Sequence, residues 1–125
     1  MDTVPYTRTL EKERERLKEE LSHIGVQDPH VPTTWNVRSP ALDIMSADEN
    51  EVADRMEEEH IDAIVLDELV ARLHLVTHAL DKVSAGTFGR CEICESMIEE
   101  DRLAANPAAR TCKSDMGKET SLGIR

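Results

Sequence analysis

The residues best suited to chemistry are three cysteines, all between Cys91 and Cys112. Cys91 and Cys94 form a Cys-x-x-Cys knuckle, a spacing that turns two thiolates toward one tetrahedral metal at about 2.3 Å. Seventeen residues separate Cys94 from Cys112, inside the range typical of four-ligand zinc sites. The fourth ligand is due three residues after Cys112, and Asp115 stands there. A carboxylate ligates zinc at about 2.0–2.2 Å, so Cys91, Cys94, Cys112 and Asp115 are a candidate set for structural zinc. Three thiolates with water, or a module that folds without metal, stay open as alternatives. An odd number of thiols argues against a disulfide framework. No strand–helix pattern places the knuckle on a thioredoxin-like scaffold, which disfavours redox chemistry.

Catalysis is not expected. A catalytic zinc needs an open coordination position and a general base in a pocket, and the cysteine segment is too small to enclose a substrate. No Ser-His-Asp set, phosphate loop or paired-carboxylate pocket is evident. His74 and His78 lie one helical turn apart, off the apolar seam, and are expected to be exposed surface residues.

Two helices must position the cysteine segment. The first is expected from about Pro5 to Gly25. Leu10, Leu17, Leu21 and Ile24 form a heptad-like stripe, with Arg14 at the missing seam position. Gly25 reads as a C-terminal stop, with His23 in the last turn. A connector follows from about Val26 to Met45, where Asp28-Pro29, Val31-Pro32 and Ser39-Pro40 block regular helix. Trp35 is either an anchor for the returning loop or a partner-binding aromatic.

The second helix is the clearest element. Ser46 followed by Glu49 is a capping-box signature, and Gly86 is the expected stop. Leu66, Leu69, Leu73, Val76, Leu80 and Val83 alternate spacings of three and four, a sustained seam. A helix of about 40 residues spans on the order of 60 Å, twice the reach of the first. Ile61, Val65 and Val70 widen its apolar face. The expected fold is therefore mainly α: an antiparallel helical hairpin over 1–86, with its connector at about 26–45, then a small zinc-ribbon-like module and tail over 87–125.

Charge limits the partners. The 125 residues carry a net charge of −11, and aromatics are only 2%, too few for a thick globular core. Between Asp43 and Glu68 there are eleven acids and one base, Arg55. Such a block disfavours direct DNA binding; it is either a solvated face or one that meets a basic surface. The absence of an 18-residue apolar run, and of an apolar segment after Asp2, predicts no membrane span, no secretory signal and a cytoplasmic location.

The string Gly86-Thr87-Phe88-Gly89-x-Cys91-x-x-Cys94, then Ile98, Arg102-Leu103-x-Ala105-x-Pro107-x-Ala109-x-x-Cys112, resembles the DksA/TraR family of zinc-finger transcription factors. The likeness covers about residues 66–115. It implies a coiled-coil hairpin that enters the secondary channel of bacterial RNA polymerase. Acidic residues at its tip would approach the active-site region and alter open-complex stability, often together with guanosine tetraphosphate, without reading DNA. The family's tip pattern, Asp-x-x-Asp-x-Ala, has its nearest counterpart in Glu51-Val52-Ala53-Asp54-Arg55-Met56, so Glu51 and Asp54 are the candidate partner-binding residues. Three positions depart from the pattern: Met56 replaces a small residue, Glu95 replaces the glycine after the second Cys, and Asp115 replaces the fourth Cys. The reading is a monomeric regulator bound to polymerase; the alternative is a stress-related adaptor that uses the same scaffold for another protein.

Overall fold

The computed structural model describes residues 2–31, 34–37 and 49–123. In order they form α1 (Val4–Ile24), β1 (Gly25–Gln27), β2 (Trp35–Val37), α2 (Glu49–Ala85), α3 (Glu100–Ala105) and a run of 3₁₀ turns (Lys113–Leu122). They cluster into two units, residues 17–70 and residues 1–16 with 71–125. The expected Ser46 cap, Ser39-Pro40, and the acids Asp43 and Asp48 lie outside the described residues.

In the second of these units, the start of α1 runs antiparallel to the end of α2. The Tyr6 ring lies 5.5 Å from that of Phe88, and further along α1 Glu13 receives Arg72 in a fork of 2.6 and 3.0 Å. Arg72 also donates to Asn106 Oδ1 at 3.0 Å. The seam between these contacts is aliphatic: Leu10, Leu73, Val76 and Ala79 are buried. Asp2 starts α1, its carboxylate accepting the Val4 N–H at 3.0 Å, which satisfies one of the donors a helix leaves open. α2 ends as expected at Gly86, whose φ of 76° lies in the left-handed region that glycine enters without a side-chain penalty.

In the unit 17–70, Leu17, Leu21 and Leu66 are buried. The connector is more regular here than expected. β1 and β2 pair antiparallel, Gly25 opposite Val37 and Gln27 opposite Trp35. Asp28 organises the link between them, accepting the N–H groups of His30 and Val31 at 2.8 and 3.1 Å, an Asx turn. Trp35 thus sits in a ladder, half-buried, as an anchor would.

Gly25 also behaves differently from the expectation. It ends α1, but with no left-handed φ. It is a strand residue at a close approach, where a Cβ would stand 2.6 Å from Leu66 Cδ1 and 3.1 Å from the Asn36 carbonyl oxygen. Packing, not backbone conformation, calls for glycine at this position.

Candidate metal centre

The segment after α2 turns back on itself within a few residues. Arg90 and Met97 form an antiparallel bridge. Cys91 N–H donates to the Ser96 carbonyl at 2.8 Å, Ile98 N–H to Gly89 at 2.7 Å, and Glu95 N–H to Cys91 at 3.0 Å. This knuckle puts Cys91 inside and Cys94 at the surface. Glu95 takes φ = 63°, the one left-handed non-glycine among the described residues. The turn after the second cysteine therefore demands the conformation that glycine supplies, and a Cβ there costs on the order of 1–2 kcal/mol.

Cys112 arrives from the other side. Phe88, Ile98, Leu103, Ala108, Ala109 and Thr111 are buried around the irregular segment leading to it. Asn106 ends α3 and rebuilds the turn, its Oδ1 accepting the Ala108 N–H at 3.2 Å and its carbonyl the Ala109 N–H at 3.0 Å. Asp115 then lies in the first 3₁₀ turn, its N–H bonded to the Cys112 carbonyl at 3.0 Å. That turn carries its carboxylate back toward the sulfurs.

The four side chains converge. One ligand atom from each of Cys91, Cys94, Cys112 and Asp115 lies within 4.8 Å of all the others. Cys94 Sγ is 3.7 Å from Cys112 Sγ, and Asp115 Oδ2 is 3.3 Å from Cys91 Sγ and 3.4 Å from Cys112 Sγ. A tetrahedral zinc with standard bond lengths requires about 3.8 Å between sulfurs and about 3.6 Å between sulfur and oxygen. The arrangement therefore fits a structural zinc ion of the three-thiolate, one-carboxylate kind.

The protonation of the group suits a cation. Burial raises the Cys91 thiol, but backbone N–H groups of Cys94, Cys112 and Ile93 outweigh it and bring it below its ordinary value. Burial pushes the Cys112 thiol up to about 11. Asp115 is held below the usual carboxylate range by hydrogen bonds from Cys94 and Cys91. Without metal, the carboxylate accepts the thiol protons; a divalent cation would displace those protons and take their place. The Ser96 hydroxyl stands 2.8 Å from Cys94 Sγ, a second polar group beside the exposed sulfur.

One feature of the centre is not evident in the sequence pattern. Glu92, inside the knuckle, binds the fork of Arg110 at 2.8 and 2.9 Å, with Lys82 at 3.4 Å and His78 at 3.1 Å. Burial alone would raise Glu92; the Arg110 guanidinium, Lys82 and His78 instead lower it to about 2. Arg110 is only 3% exposed and reaches the Gly123 carbonyl as well. His78 is therefore not the exposed surface residue expected from its off-seam position. It is half-buried and paired, because the knuckle folds over that side of α2. A second network beside it joins Arg102 to the Thr111 carbonyl and to Glu119, each at 2.5 Å.

The other candidate residues belong to the other unit. Glu51 and Asp54 are exposed positions near the start of α2, in the unit 17–70. Among the described residues, no helix is long and apolar enough to cross a membrane.

Comparison with known proteins agrees with the geometry. Residues 86–114 match the prokaryotic dksA/traR C4-type zinc finger. An uncharacterized protein of Aquifex aeolicus (strain VF5) is 44% identical over 43 residues, a stretch covering 34% of this chain and 30% of that relative. The structure of transcription factor DksA2 from Pseudomonas aeruginosa superposes with a TM-score of 0.64 at 18% identity, covering 94% of this chain and 81% of that one. At that identity the likeness is one of fold. The helical hairpin and the converging cysteines thus have their likenesses in known proteins: residues 86–114 match a dksA/traR C4-type zinc finger, and the fold resembles that of DksA2.

Proposed function

We propose that this chain is a DksA/TraR-like transcription regulator, not an enzyme, that binds bacterial RNA polymerase in the cytoplasm and does not itself read DNA. In this reading residues 1–86 are the hairpin, with its connector at about 26–45, and residues 87–125 are the finger and tail. Cys91, Cys94, Cys112 and Asp115 hold structural zinc, which fixes the finger against the end of α2. Glu51 and Asp54 make the acidic contact with polymerase, as a monomer inserting into the secondary channel.

The observation that carries this reading is the pairing of a DksA/TraR-like finger with a helix whose opposite half carries charge of almost one sign, acidic. From Glu51 to Glu68 there are eight acids and one base, Arg55. That distribution repels phosphate backbones and suits a basic channel, with association that weakens as salt rises. Co-purification of the full chain with core RNA polymerase, followed by transcription in vitro, tests it. The intact protein is expected to bind and to change promoter output; Glu51→Ala with Asp54→Ala is expected to abolish the effect on output. A chain that captures no polymerase would overturn the reading.

Met56 favours a second reading. It is 66% exposed where the family's tip pattern has a small residue, so the same scaffold could serve a different protein partner as an adaptor. In that case the double substitution at Glu51 and Asp54 leaves transcription untouched.

A further inference from the structure

α2 has a second apolar stripe that the other described residues leave exposed. Ile61, Ile64 and Val65 are 54%, 50% and 40% exposed. At about 100° per residue they share one arc about 100° wide, while Leu66 and Leu73 point roughly 130–150° away from its centre. The core-facing side of α2 is therefore already occupied by the buried leucines, and this stripe faces outward. Its spacing, i, i+3, i+4, is that of anchor residues on a helix that lies in a groove. β-branched residues are also poor choices for a solvated helix position, where Ala, Glu or Lys favour the helix more.

The rim of the stripe indicates what would cover it. Glu57 and Glu68 fall inside the same arc, one turn before Ile61 and one turn after Ile64. Glu58 flanks it on one side, and Asp67 lies further round on the other. Among the described residues, none of these four carboxylates has an ion-pair partner. A second copy would set carboxylate against carboxylate, so self-association is disfavoured. The complement is a groove with an apolar floor and Lys or Arg along its edges.

We infer that the outward face Ile61–Ile64–Val65, framed by Glu57 and Glu68, is a docking stripe that seats in a basic-rimmed apolar groove of RNA polymerase. This inference rests on the polymerase reading above and adds to it a contact separate from Glu51 and Asp54. The carboxylates steer and set register; the three aliphatic side chains hold the complex, so dissociation rather than association depends on them.

The test uses the full zinc-loaded chain and purified core polymerase. Ile61→Gln, Ile64→Gln and Val65→Gln together are expected to weaken binding about a hundredfold through faster dissociation, with helix content and Tm unchanged, and Ile64→Gln alone about tenfold. The loss should persist at high salt, where contacts of Glu51 and Asp54 are screened. Wild-type binding with an unaltered dissociation rate in both variants overturns the stripe and leaves the polymerase reading standing. Failure of the wild-type chain to bind polymerase overturns both. A wild-type dimer that becomes monomeric in the triple variant assigns the stripe to a second copy and also overturns the inference.

Discussion

The finger and the first half of α2 use the same charged residues to opposite ends. In the finger, Glu92 gathers Arg110, Lys82 and His78, and Glu119 takes Arg102, Thr111 and the Arg110 N–H. Charge there is buried, paired and directional. Between Asp54 and Glu68, Asp54, Glu57, Glu58, Asp62, Asp67 and Glu68 have no ion-pair partner among the described residues. Paired charge specifies one conformation and is costly to disturb; unpaired charge of one sign contributes little to folding and much to the choice of partner. The finger is thus built to hold its shape, and the acidic half of α2 keeps its charge available for the polymerase contact proposed above.

Metal removal should break the finger most severely. Structural zinc in small fingers contributes on the order of 10 kcal/mol. Chelation, or Cys91→Ser, is therefore expected to abolish amide-exchange protection over residues 87–112 while leaving residues 51–68 unchanged. Equal loss in both regions would erase the distinction between them.

The next largest effect is a Glu→Gln comparison. Glu92→Gln leaves Arg110 buried without its counter-charge and should cost about 2–4 kcal/mol. The same change at Glu58 should alter stability by less than about 0.5 kcal/mol, or raise it slightly, since it removes one of many like charges. Urea denaturation of both variants checks this directly.

Smaller effects sharpen the picture. Glu95→Gly should stabilise the chain by about 1 kcal/mol, because the strain at φ = 63° exceeds the entropy glycine adds to the unfolded chain. At the other edge of the finger-bearing unit, the Arg72 fork holds Glu13 below the ordinary 4.5. The folded value is lowered, so this pair stabilises above the unfolded pKa and its contribution fades as pH falls through the folded value. Glu13→Gln should cost about 1 kcal/mol at neutral pH and should flatten that part of the acid limb in a stability–pH profile.

Much of the fold follows from local pattern. The seam leucines Leu10, Leu17, Leu21, Leu66 and Leu73 are buried because a three-four repeat places them on one side of a helix. Gly86 and Glu95 were legible for the same reason: each occupies a turn whose backbone conformation is local. The convergence of the four candidate ligands follows from spacing that is also short-range. By contrast, β1 and β2 have three residues each, too few to show a period, and they form only by pairing with each other. The Glu92 network was hidden because its members lie at 78, 82, 92 and 110, joined by folding rather than by spacing. A carboxylate inside a Cys-x-x-Cys, with an arginine near the third cysteine, was the available signal.

The finger holds its shape only if the three sulfurs and Asp115 act as one centre. Cobalt titration of the reduced, metal-free chain tests this. One equivalent should bind, with sulfur-to-metal charge-transfer bands of three thiolates and the visible bands of a tetrahedral ion; Asp115→Cys should intensify the charge transfer and tighten binding. A chain that takes up no cobalt, and whose three thiols react independently with or without it, would contradict the account.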